Sequence, residues 1–244
     1  MNEALLVVGH GSRDPEGVDE FLDLGRLIVE RRGARRTAFA FLEFAQPTVD
    51  EAIDRLVQTG ADRIVCLPGM LFAAGHVKVD LPRILQEARR RWPEVEFCLC
   101  GALETPNELL RLCKLRWEEA VGTRPIQKTM LLLAGRGSSD PDANWGLESL
   151  AIRLGREYGV PRAGACYSGL AEPLVPEALE SAVATDCQRI VVQPYFLFTG
   201  VLVKQIHGQI AQVAARNPGK EMFATGHLGV HSLLAEAFLA NSHR

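Results

Sequence analysis

His10, Glu43 and His76 are the residues of this chain whose types and settings point to chemistry. His10 lies in Gly9-His10-Gly11-Ser12-Arg13-Asp14-Pro15, directly after the apolar run Ala4-Leu5-Leu6-Val7-Val8. Glycines on both sides let the backbone turn sharply and leave the imidazole uncrowded. His76 follows Ala73-Ala74-Gly75, a small-residue stretch that lets something flat and wide approach the backbone. Two neutral imidazoles with one carboxylate suit a divalent first-row metal, and they equally suit proton abstraction near neutral pH. Glu43 has three readings at this level: a third metal ligand, a proton acceptor, or a carboxylate at a helix entry. His76 taken alone also reads as a loop histidine in contact with solvent.

An internal repeat gives these residues their weight. Gly9–Pro15 returns as Gly135-Arg136-Gly137-Ser138-Ser139-Asp140-Pro141, at an offset of 126 residues. The same offset pairs Arg63-Ile64-Val65 with Arg189-Ile190-Val191, Pro68 with Pro194, Phe72 with Phe198, and Lys78 with Lys204. The glycines, the serine and the aspartate recur in both halves, so a strand-to-helix turn capped by Ser12 and Asp14 explains them. The histidines do not recur. Arg136 stands opposite His10, Gly169 opposite Glu43, and Leu202 opposite His76. That asymmetry predicts one working site and one decayed copy.

The elements that must position these residues follow from the hydrophobic pattern. Apolar runs at 4–8, 37–42, 62–67, 95–100, 129–134, 162–167, 188–193 and 221–225 alternate with amphipathic stretches such as 17–32, 48–59, 81–92, 142–158 and 173–185. Near-continuous apolar runs suit strands buried on both faces, and their alternation with helices predicts parallel sheets built from βαβ units. The expected fold is α/β, with two tandem flavodoxin-like domains at 1–124 and 125–244. Each is a small four-stranded parallel sheet flanked by helices. The polar segment 121–128, with Gly122 and Pro125, reads as the linker. In such sheets function gathers at the carboxyl ends of the strands, and His10, Glu43 and His76 each follow a predicted strand. Asp80 reads as the cap of the next helix, with Pro82 in its first turn.

Composition narrows the function classes. Hydrophobic content of 47% with 23% charge is that of a globular protein. A net charge of -3 supplies no electrostatic reason to bind nucleic acid. The clusters Arg31, Arg32, Arg35, Arg36 and Arg89, Arg90, Arg91 read as solvated helix ends. No apolar run approaches the roughly eighteen residues of a spanning helix, and no basic leader precedes the first strand, so a cytoplasmic protein with no membrane partner is expected. The six cysteines form no CxxC pair and read mostly as small buried residues. The alternative is a cluster held by Cys98, Cys100 and Cys113. There is no Walker phosphate loop, no GxGxxG fingerprint and no GxSxG elbow. His207, His227, His231 and His243 read as surface or core histidines.

Gly9-His10-Gly11-Ser12-Arg13 after the first strand, paired with Phe72-Ala73-Ala74-Gly75-His76-Val77 after the third, resembles the sirohydrochlorin chelatases. The likeness is greatest to the long, two-half form of the cobalt-inserting CbiX type of cobalamin biosynthesis, and it covers nearly the whole chain. The iron-inserting enzymes of sirohaem synthesis share the motifs. The resemblance implies a lyase of porphyrin metabolism that inserts Co²⁺ or Fe²⁺ into sirohydrochlorin without ATP or an organic cofactor, in a cleft between two halves. It implies metal binding by His10 and His76, with His10 also the proton acceptor. The family's acidic position falls on Glu43, and its substrate-contacting loop falls on Leu71, Phe72, Ala73, Ala74, Gly75 and His76. Arg136, Gly169 and Leu202 speak against a second chelation site. The substrate's carboxylates need cations, for which Lys78, Lys204, Arg13 and Arg136 are the candidates. Arg136 then reads as a metal ligand exchanged for a carboxylate clamp. A monomer or weak homo-oligomer is expected. Competing readings are a tetrapyrrole or metal carrier that does not catalyse and a flavodoxin-like electron carrier.

Overall fold

The computed structural model describes residues 2–33 and 36–242 of the chain. Arg35 and His243 lie outside the described residues. In the first half, β1 (Glu3–Gly9), α1 (Pro15–Arg32), β2 (Thr37–Phe41), α2 (Val49–Gln58), β3 (Arg63–Pro68), α3 (Leu81–Arg91), β4 (Glu96–Leu99) and α4 (Asn107–Val121) follow in order. A π-helical turn, His76–Asp80, runs directly into α3. The second half gives β5 (Thr129–Gly135), α5 (Pro141–Tyr158), β6 (Arg162–Tyr167), α6 (Val175–Val183), β7 (Arg189–Pro194), α7 (Val201–Arg216), β8 (Glu221–Ala224) and α8 (Ser232–Asn241). Every strand begins and ends within a residue of the apolar run that predicts it.

Both sheets are parallel, with orders β2-β1-β3-β4 and β6-β5-β7-β8. Alternation along β1 sends Ala4, Leu6 and Val8 to one face, where Ile53 of α2 and Leu81 and Leu85 of α3 complete a core with Ile64 and Cys66. Leu5 and Val7 are fully buried on the other face. There Phe21 of α1 meets Phe39 and Phe41 of β2. Burial of both faces is why the strands read as continuous apolar runs rather than alternating ones. In the second sheet, Leu132, Ala134, Ile190 and Val192 pack likewise against α6 and α7.

The repeated turns behave as their residues dictate. Ser12 Oγ accepts from the Asp14 amide at 3.0 Å, and Asp14 accepts from Glu16 at the start of α1. Ser138 and Asp140 repeat both bonds before α5. The basic residues Arg31, Arg32 and Arg89 to Arg91 occupy the last turns of α1 and α3, where they complement the helix dipole.

By contact the chain divides into two compact units, Met1–Glu108 with Val230–Arg244 and Leu109–Gly229. The last helix of each repeat is exchanged. Trp117 of α4 stacks on Tyr158 of α5 at 4.5 Å, and Gln193 at the end of β7 donates to the Cys113 carbonyl. Reciprocally, Asn241 of α8 donates to the Gly101 carbonyl after β4, and a Cβ on Gly69 after β3 would sit 3.2 Å from Phe238. An amphipathic helix needs an apolar surface to cover, and nothing local in its pattern says which copy supplies it. The segment 121–128 does join the two repeats, between α4 and β5, but both of its ends belong to the second unit. One expectation, the cap at Asp80, is corrected. Asp80 makes no capping hydrogen bond, because the backbone is already helical there: the Leu81 amide donates to the His76 carbonyl five residues back.

Candidate functional site

Strand order reverses between β1 and β3. From β1 the chain crosses to β2 on one side, and β3 returns on the other, so the connections diverge and leave a crevice at the carboxyl ends. His10 follows β1 and His76 lies in the loop after β3. Their rings meet edge to face, with centroids 4.7 Å apart. Residues 66 positions apart in the chain are thus brought together by adjacent strands. Both side chains are half-buried.

Each imidazole has one nitrogen engaged by an acceptor. His10 Nδ1 lies 3.2 Å from the Gly11 carbonyl, and His76 Nδ1 lies 2.7 Å from Asp80 Oδ2. A carbonyl oxygen can only accept, so His10 Nδ1 donates to Gly11, and a carboxylate beside His76 Nδ1 favours the same tautomer there. An imidazole protonated at Nδ1 presents its lone pair at Nε2, the form that binds a metal or takes a proton. A carboxylate on the far nitrogen fixes the tautomer and orients the ring. The signal for Asp80 is present in sequence as an i, i+4 His/Asp spacing, but it is masked by the ordinary expectation of a cap before Pro82.

Glu43 is held against His10 by its backbone. Its amide donates to the His10 carbonyl at 3.0 Å, and Leu42 donates to Gly9 at the same distance. Gly11 makes this approach possible: its φ is +92°, and a Cβ there would lie 1.7 Å from the Glu43 carbonyl oxygen. Glu43 itself is exposed. Among the described residues no group of three His, Cys, Asp or Glu side chains is arranged to hold a metal, so Glu43 does not converge on the two histidines as a third ligand. The same holds for the cysteines. Cys66, Cys100, Cys113, Cys166 and Cys187 are buried and Cys98 is half-buried, all as free thiols.

Leu71, Phe72, Ala73 and Ala74 are half-buried in the loop leading to His76, and Gly75 is exposed with open space around its Cα. The loop is braced from behind, where Leu103 and Glu104 donate to the carbonyls of Met70 and Leu71. Val77 and Lys78 both donate to the Ala74 carbonyl at the entry to the π-helical turn, whose five-residue bond runs from the Leu81 amide to His76. Wide turns of this kind often occur at functional sites. Lys78 and Arg13 are exposed at this edge. Phe44, absent from the candidates that residue type suggests, also stands here: its ring centroid is 6.2 Å from that of His10, and the Arg13 guanidinium lies 4.7 Å from its centre.

In the second unit the equivalent edge carries different chemistry. Arg136 is exposed after β5, Gly169 follows β6, and Leu202 sits in the first turn of α7, which starts without a π-helical turn. Lys204 is exposed on the same helix. His231 caps α8 through Nδ1, His207 is exposed, and His227 is half-buried in the loop after β8.

The model of the CbiX family matches residues 4–120 and again 130–243. The sirohydrochlorin cobaltochelatase of Priestia megaterium is 34% identical over 241 residues, covering 95% of this chain and 76% of its own length. A sirohydrochlorin ferrochelatase of the same organism is 30% identical, covering 96% of this chain and 86% of its own length. Among solved structures, SirB from Bacillus subtilis with Fe³⁺ superimposes with a TM-score of 0.86 at 26% identity, over 100% of this chain and 95% of that one.

Proposed function

Because the chain belongs to the CbiX family, we propose that it is a sirohydrochlorin chelatase that inserts a divalent metal ion without ATP, with Co²⁺ as its favoured substrate ion. The observation that carries this reading is the edge-to-face His10–His76 pair at the crevice between β1 and β3.

Insertion joins M²⁺ to the macrocycle and releases two protons from its pyrrole nitrogens. Water must be stripped from the ion, and the ion must be held near the ring yet remain free to leave. Two neutral imidazoles suit that compromise, since they bind first-row ions without closing a tetrahedral site. In this reading His10 and His76 hold the metal through Nε2, and Asp80 keeps His76 in the right tautomer. As the ion passes to the macrocycle, the vacated Nε2 of His10 accepts one of the two ring protons and the other is lost to solvent, with the charge of the metal assisting both losses. Glu43, tied to His10 through the backbone, offers a carboxylate that relays the proton to solvent. The loop from Leu71 to Gly75 contacts the macrocycle. Lys78, Arg13, Arg136 and Lys204 supply positive charge for its carboxylates.

Fe²⁺ is the alternative substrate ion, because relatives with cobalt and with iron in their names are of comparable similarity. With Co²⁺ the product enters cobalamin synthesis; with Fe²⁺ it is sirohaem. The test is anaerobic mixing of the protein with sirohydrochlorin and Co²⁺, Fe²⁺ or Ni²⁺, followed by absorption, with His10→Ala as control. Rapid insertion that drops at least 10²-fold in the variant supports the mechanism and ranks the metals. Tight tetrapyrrole binding with no rate above the uncatalysed reaction would mean a carrier.

A further inference from the structure

Phe44 is an aromatic residue that folding has placed where an aromatic is costly. Its side chain is 53% exposed. Its φ is +62°, and among the described non-glycine residues only Glu104 shares that left-handed region. The Ala45 amide donates to the Glu43 carbonyl at 2.8 Å, so Phe44 is the central residue of a γ-turn in its rare, strained form. A bulky residue at positive φ is an outlier that persists only where its surroundings over-determine it. The loop does not need this conformation. In the second unit Ala171 donates to Gly169 across the equivalent turn, and the central Leu170 has no positive φ. The strain therefore belongs to the copy that carries the histidine pair.

The orientation says what the ring is for. Its plane is tilted only 26° from that of His10, with centroids 6.2 Å apart. The Arg13 guanidinium, 4.7 Å from the ring centre, sets a positive charge beside the same aromatic plane. A half-exposed aromatic ring with a cation over it and an imidazole next to it complements a flat, conjugated molecule with an anionic periphery.

We propose that Phe44 is a substrate-contacting residue that seats the apolar face of the tetrapyrrole beside His10, while Arg13 meets one of its peripheral carboxylates. This rests on the chelatase reading for the identity of the macrocycle. Contact of the Phe44 ring with the macrocycle lowers the free energy of the bound substrate and holds it next to the imidazole pair.

The test uses Phe44→Ala, Phe44→Gly and Phe44→Tyr in the full chain. Sirohydrochlorin is titrated into metal-free protein and followed by absorption, and its KM is measured separately from that of Co²⁺. Loss of the ring should raise Kd and KM for sirohydrochlorin about tenfold, which corresponds to ~1.4 kcal/mol of stacking. KM for Co²⁺ should move much less, and Phe44→Tyr should restore binding. Phe44→Gly guards against misfolding, because glycine accepts positive φ and that variant should melt no lower than the wild type. If the wild type inserts metal and neither Ala nor Gly weakens sirohydrochlorin binding, the Phe44 contact is wrong and the chelatase reading stands. If binding depends on Phe44 but no metal is inserted, the contact stands and the chelatase reading falls. If the wild type neither binds nor inserts, both fall.

Discussion

Asp80 Oδ2 lies 2.7 Å from His76 Nδ1, at the far end of the same π-helical turn. The turn and the carboxylate act together: one presents the imidazole toward His10, and the other orients it through Nδ1. An aspartate that a local reading assigns to helix capping is instead the partner of the His76 ring.

Asp80→Ala is expected to weaken Co²⁺ binding by about 10–100-fold, the usual range when the partner of a metal-binding histidine is removed. The fold should survive, since both side chains are partly exposed at 30% and 41% and such pairs contribute little to stability. Calorimetric titration of Co²⁺, alongside a thermal melt, separates the two effects. Undiminished metal affinity would reduce Asp80 to an ordinary surface partner.

Gly11→Ala should destabilise the protein and distort the site together. The positive φ of +92° costs about 1–3 kcal/mol for a non-glycine residue, before the clash at 1.7 Å with the Glu43 carbonyl is relieved. Each kcal/mol corresponds to roughly 2–4 °C in Tm for a chain of this size, so a fall of several degrees is expected. A melt unchanged from wild type would show that the His10 and Glu43 loops separate at no cost. Insertion activity should fall further than the melt alone explains.

Arg136→Ala tests the exchange of a ligand for a clamp in the second copy. An exposed charge contact is worth about 0.2–1 kcal/mol, so KM for sirohydrochlorin should rise roughly 1.5–5-fold with the dependence on metal unaltered. An unchanged KM rejects the clamp.

Burial pushes the thiols of Cys113 and Cys166 up from 9.0 to about 12, and it raises Cys66 as well. Below the ordinary thiol value both folded and unfolded states keep the proton, so these groups leave stability unchanged. Above it the unfolded chain ionises them first, and stability falls as pH rises toward the folded values. Each thiol contributes a loss of about 1.4 kcal/mol per pH unit within that window. Melting curves from neutral to strongly alkaline pH should show the decline, and Cys113→Ala should make it shallower. An equal slope in that variant would argue against a protonated, buried Cys113. Cys98, the half-buried thiol, should be the first to react with an alkylating reagent in the native state.

The sequence by itself determined the strands, because a strand buried on both faces must be apolar at every position, and that pattern survives without any knowledge of neighbours. The repeat determined that there are two sheets of one kind, and its mismatches at His10, Glu43 and His76 marked the copy to examine. What only the tertiary structure decided was which distant groups meet. Parallel pairing of β1 with β3 brings His10 to His76, and no local pattern encodes a separation of that length. The exchange of α4 and α8 was hidden for a related reason: each helix shows an apolar stripe, and two similar sheets offer equivalent surfaces to cover it. Phe44 was illegible for the opposite reason: no local pattern marks a phenylalanine for the left-handed backbone at φ +62° or for a place beside the His10 ring.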